Sequence, residues 1–176
     1  MSETQPLRLI ALDAEGLAVV SAHLQDAVVR VGDMSYLPRE RRFATVLNRF
    51  NWLGALLEGD EAEADERRRC GLRFERVVRA RIAGIDLAAK DTVLSLLAIT
   101  FTAGGADDPG GVVQIHFAAG ATIELSVECV EAELKDLGAA WRARMRPEHP
   151  PEHPEHPDHG GIDEAGASKQ KSSSGG

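Results

Sequence analysis

From Val113 to Val127, apolar and polar residues alternate in two runs. Val113, Ile115 and Phe117 alternate with Gln114 and His116, and Ile123, Leu125 and Val127 alternate with Thr122, Glu124 and Ser126. Ala118 to Ala121 lies between them as a short turn. This is the pattern of a two-stranded hairpin with one buried face. The period then changes. Val130, Leu134, Leu137 and Trp141 recur every three or four residues, which predicts an amphipathic helix following directly on the hairpin.

Upstream, Leu7 to Leu12 is a short apolar strand. Asp13 stands at an N-cap position with Glu15 in the first turn. Leu17, Val20, Leu24, Val28 and Val31 follow at helical spacing and Gly32 supplies a stop, so a first helix is predicted from about Ala14 to Val31. Asp33 to Leu37 and Arg42 to Trp52 form strands joined by a turn at Pro38 to Arg41. The second of these is apolar on both faces, as a central strand is. Gly54 to Arg69 begins with an acidic run, Glu58 to Glu66, and ends in Arg67, Arg68 and Arg69; it predicts a mobile loop. Leu72 to Ile82 is a strand with a bulge near Arg76-Val77. Thr92 to Thr102 is a further strand, and Gly104 to Gly111 a glycine-rich connection. From Pro147 onward, prolines every few residues remove backbone donors, and residues 147–176 are expected to be a disordered Pro/His/Glu-rich tail.

These elements predict a single α+β domain over residues 1–146. About seven strands would form a strongly curved antiparallel sheet, with an early helix and a closing C-terminal helix. That order resembles a pleckstrin-homology-type barrel, with Val130, Leu134, Leu137 and Trp141 as the plugging face. A two-layer sandwich with both helices on one face is the alternative.

The apolar fraction of 43% suffices for a real core, and the net charge is −8. Six acids against two lysines after Pro147 carry half of that charge. A mildly acidic body argues against a general nucleic-acid binder. Cys70 and Cys129 match no metal or redox spacing and read as reduced thiols. The N-terminus has no charged-then-apolar leader, and no run approaches the ~18 apolar residues of a membrane span. A cytoplasmic protein is expected.

Four stretches carry a family resemblance. They are Leu9 to Glu15, Ser21 to Ala27, Leu47 to Phe50 and Val127 to Ala132. Through them, Leu7 to Arg146 resembles a family of small uncharacterised alphaproteobacterial proteins known only as a domain of unknown function. The resemblance implies a bacterial cytoplasmic protein with no assigned activity.

The candidate ligand-binding residues are arginines. Arg39, Arg41 and Arg42 lie at a hairpin turn, and Arg73, Arg76, Arg79 and Arg81 fall in one predicted strand. Together they suit phosphate, RNA or an acidic protein segment, with Phe50 or Trp52 placed to stack a base. The plainer alternative pairs them with Glu40, Glu75 and the acidic run, which could also fold over the basic strand. His149, His153, His156 and His159 are metal-friendly in composition but have no preformed geometry. His23, His116 and Cys129, the last at the start of the second helix, belong to no nucleophile or metal motif. No catalytic residue, metal or cofactor is called for. The expected function is a non-enzymatic binding or adaptor module with a protein partner at a sheet edge or the arginine face. The alternatives are an enzyme or enzyme subunit handling a small anion through those arginines, or an RNA-binding module.

Overall fold

A computed structural model describes residues 6–50, 66–138 and 141–142. These residues are mostly strand. The order is β1 (Arg8–Ala11), α1 (Ala14–Leu24), β2 (Val28–Leu37), β3 (Arg42–Phe50), β4 (Glu66–Phe74), β5 (Val77–Ala83), β6 (Val93–Gly105), β7 (Asp108–Phe117), a 3-10 turn at Ala118–Gly120, β8 (Thr122–Val127), β9 (Ala132–Asp136) and the two-residue β10 (Trp141–Arg142). Nine strands run antiparallel along an open path, β1-β9-β4-β3-β2-β6-β7-β8-β5, and β10 pairs with β4. β3 is central, as its two apolar faces predict.

The helix α1 starts as its sequence dictates. The Asp13 carboxylate accepts from the Gly16 amide at 2.7 Å, and Leu17, Val20 and Leu24 are buried against the sheet. It ends at Leu24, about two turns short of Val31. Asp26 takes a positive φ of 61°, its amide donates to the Leu96 carbonyl, and Val28 already pairs with β3 and β6. Val28 and Val31 therefore belong to a strand, where Val29 and Val31 point inward.

The hairpin read from alternation is present. β7 and β8 pair Ile115 with Ile123 and Val113 with Leu125, and all six alternating apolar residues are buried.

Among the described residues no second helix closes the sheet. Residues 132–136 are a strand inserted between β1 and β4, with Ala132, Leu134 and Asp136 buried. The α+β class, the plugging helix and the closed barrel are all overturned by this element, as is the sandwich with two helices. Among the described residues α1 is the only α-helix. The helix-forming composition of Glu131 to Leu137 yields to two flanking strands that satisfy its backbone on both sides.

Three further expectations change. The predicted strand from Leu72 to Ile82 is two strands, because the chain turns at Glu75-Arg76, where Arg76 has φ 61°. The glycine-rich connection is strand at both ends. β6 and β7 pair Ala103 with Gly111, and only Ala106 and Asp107 lie between them. Arg67, Arg68 and Arg69 open β4 rather than ending a loop, whereas residues 54–65 of that loop, Trp52 and the tail from Pro147 lie outside the described residues.

β2 carries a large irregularity. Val29 pairs with Leu47 and Met34 with Thr45, so Arg30 to Asp33 face the single residue Val46. The extra chain is held from the other side, by Val31 and Gly32 amides donating to the Thr92 and Lys90 carbonyls at 2.9 Å. A Cβ on Gly32 would lie 3.0 Å from that Lys90 oxygen, so a larger residue there requires the Lys90 backbone to give by a few tenths of an ångström.

Candidate functional site

On the inner face, β3, β4, β9 and the residue before β1 meet at a buried charge cluster. Arg49 grips Asp136 with two hydrogen bonds, Nε to Oδ1 at 3.0 Å and Nη2 to Oδ2 at 2.9 Å. Asp136 also accepts from the Leu7 amide at 2.8 Å, and Arg68 Nη1 lies 3.7 Å from the same carboxylate. The Asp136 side chain is fully buried, and those of Arg49 and Arg68 are 4% and 7% exposed. Alternation places these groups inside, because Arg49 shares parity with Phe43 and Leu47, and Arg68 with Cys70 and Leu72. Such a bidentate pair compensates the desolvation of both ions and fixes which strands lie together. It is sealed from solvent, so it serves the fold.

Two titratable groups feel the cluster. Burial pushes the Cys70 thiol up to about 12, so it stays protonated and unreactive. His23, half-buried in the last turn of α1, has its pKa lowered from 6.5 by burial first and by the Arg49 charge second, with Asp136 opposing. The unfolded chain therefore binds a proton at a higher pH than the folded one. Stability falls as pH drops below about 6.5 and levels off once the lowered folded value is passed. His23→Gln is expected to shrink the difference between urea midpoints measured at about pH 7.5 and about pH 5.5. An unchanged difference would show that His23 does not contribute.

The seven candidate arginines do not converge. Arg39 and Arg41 sit in the β2–β3 turn, Arg42 opens β3, Arg73 is in β4, Arg76 is in the β4–β5 turn, and Arg79 and Arg81 lie on β5 at the far edge of the path. Five of them meet carboxylates. Arg41 pairs with Glu128 at 2.6 Å, Arg42 with Glu40 and Glu75 at 2.9 and 2.8 Å, Arg73 with Glu133 at 2.5 Å, Arg76 with Glu131 at 3.4 Å, and Arg81 with Glu124 at 4.0 Å. Arg39 and Arg79 make no ion pair among the described residues. Phe50 is buried beneath Arg67, whose guanidinium lies 4.0 Å from the ring, so it offers no face to a base. Cys129 is half-buried in the β8–β9 connection and opens no helix. His116 lies on the outer face, with Nε2 3.0 Å from Thr100 Oγ1. Among the described residues no three His, Cys, Asp or Glu side chains are placed to hold a metal ion.

The candidate site is a trough of about 570 Å³ on the outer face of β2, β3, β4 and β9. Register builds it. One row across the strands reads Ser35, Ala44, Arg73, Glu133; the next reads Val46, Gly71, Lys135, Arg8. Ala44, Val46 and Gly71 make a floor without side-chain bulk. Long side chains wall one end, where Glu133 holds both Arg8 at 2.8 Å and Arg73 at 2.5 Å. The hydrogen bond from Arg8, then the Arg73 charge, keeps Glu133 ionised well below the usual carboxylate range. Asp33, carried out by the β2 bulge, lines the other end. Leu137 leans over Gly71; a Cβ there would lie 3.6 Å from its Cδ1.

Of the sequence candidates only Arg73 belongs to this trough. Gly71 in mid-strand is the signal that points to it, since a strand glycine marks a close approach. The alternation of Glu131, Glu133 and Lys135 is the other signal, hidden by their helical reading.

No helix among the described residues is long and apolar enough to cross a membrane. No curated protein and no solved structure matches the chain. A family model described as "Protein of unknown function (DUF2948)" matches residues 7–149, which spans the four stretches that carry the resemblance. The chain belongs to this family of proteins of unknown function, DUF2948.

Proposed function

We propose that this protein is a non-enzymatic binding module that holds a protein partner at the outer trough. The trough itself carries the proposal. Its volume of about 570 Å³ is that of a ligand site, its floor is small and apolar, and its rim supplies charges of both signs. The side chains around it offer hydrogen bonds and charge rather than a nucleophile next to a base. A cytoplasmic location fits that role.

Gly71→Trp tests it by filling the trough from its floor. The full chain, wild type and variant, is used to select from a displayed random-peptide library. The wild type is expected to enrich peptides that the variant loses by about tenfold or more, a change of about 1.4 kcal/mol. The variant's thermal midpoint should stay within a few degrees of wild type, because the site lies on the outer face. Equal enrichment by both proteins would place the binding surface elsewhere. Should Gly71→Trp not fold, Val46→Glu introduces a charge into the same floor.

A further inference from the structure

We infer, resting on the trough as the binding surface, that its occupant is an extended peptide laid across the strands, acidic at one end and basic at the other. The polarity of the rim is the first observation. Arg8, Arg73 and Lys135 gather at the β9 end around the single carboxylate of Glu133. Lys135 is exposed and makes no ion pair among the described residues, so it is available to an incoming carboxylate. At the β2 end the charged residue that lines the trough is Asp33. Asp33 is exposed, likewise without an ion pair among the described residues, and is flanked by Ser35.

The span is the second observation. Lys135 on β9 and Asp33 on β2 are separated by three strand spacings, about 14 Å at ~4.8 Å each. An extended chain covers that distance in about four residues at ~3.3 Å per residue. A free amino acid, with its two charges a few ångströms apart, does not reach. The floor is the third. Gly71 and Ala44 let a backbone lie close to the sheet, and at the β2 end Val46 has no ladder partner on β2. Asp33 at the β2 end and the net charge of −8 oppose a phosphate backbone laid along the whole trough.

Three blocked peptides test the inference: Ac-Ser-Glu-Ala-Ala-Ala-Arg-Ser-NH2, whose charges lie four residues apart on one face of an extended chain, the same peptide with Glu at both charged positions, and the same with Arg at both. Amide shifts of the full-length protein are followed by NMR at low salt, and a short single-stranded RNA serves as competitor. The mixed peptide is expected to bind best and to move the amides of Ala44, Val46, Gly71 and Lys135. Asp33→Lys should shift the preference toward the all-acidic peptide and Lys135→Glu toward the all-basic one, each by about two- to fivefold, the range set by exposed charge pairs. An unchanged ranking in both variants, shifts lying elsewhere, or displacement by RNA would overturn the inference. If Gly71→Trp still removes the shifts while the ranking does not follow the charges, the trough stands as the binding surface and only the polarity fails. If Gly71→Trp leaves the shifts in place, both fail.

Discussion

Asp136→Ala is expected to destabilise the protein by about 3–5 kcal/mol, the range for removing one partner of a buried ion pair. The reason is what stays behind. Arg49 loses both hydrogen bonds to the carboxylate and keeps the one from Nη1 to the Phe50 carbonyl at 3.3 Å, while its guanidinium remains 4% exposed, and the Leu7 amide loses its acceptor. Arg68 keeps its charge 3.7 Å from where the carboxylate stood. Guanidinium unfolding of the single variant should show a large fall in midpoint with little change in slope. The double variant Asp136→Ala with Arg49→Met should recover part of the loss, because it removes the uncompensated charge. A single variant within about 1 kcal/mol of wild type would mean that Arg49 escapes to solvent and that the cluster does not hold the strands together.

Leu134→Ala is expected to cost about 2–5 kcal/mol, whereas Leu137→Ala stays within about 0.5 kcal/mol. Leu134 is fully buried between β1 and β4, while Leu137 is 52% exposed. In an amphipathic helix the two residues would share one apolar stripe and both truncations would be costly. In a strand they fall on opposite faces, since their spacing is odd. Chemical denaturation of the two variants side by side separates these geometries, and equal losses would contradict the β9 strand.

The parts of the fold that the sequence made legible are those where one physical rule acted alone. Residues 113–117 and 122–127 alternate without exception, and they form the hairpin with the predicted inner face. Asp13 and the run from Leu17 to Leu24 announce α1. Misreadings arose where two rules competed. In β9 the inward positions are Ala132, Leu134 and Asp136, and a carboxylate at the third breaks the apolar alternation. Leu134 and Leu137 then supply a helical spacing, and Glu, Ala, Leu and Lys supply helical propensity. Its partners, Arg49 on β3, Arg68 on β4 and the Leu7 amide, explain why an aspartate is inside. Glycines misled in the same way. Gly110 and Gly111 look like loop, yet they lie in β7, where a Cβ on Gly111 would collide with the Thr102 carbonyl and the Phe101 ring. The trough was almost illegible, because its walls come from β1, β2, β4 and β9. Nothing in the chain order says that Arg8 neighbours Lys135; that follows only once β9 is placed between β1 and β4.

The strand order has a consequence for the protein during its own synthesis. β9 is the last strand of the nine to leave the ribosome, yet it sits between β1, the first, and β4. Until residue 136 emerges, β1 has no neighbour in the sheet, β4 keeps an open edge, and Arg49 has no buried counter-ion to close on. The nascent chain can build β6, β7 and β8 by local hairpins, but its first half must wait with a pairing surface exposed. Completion of this sheet thus comes late, by insertion of a five-residue strand, and a chain stopped just short of that strand would keep an open β4 edge that the finished protein covers.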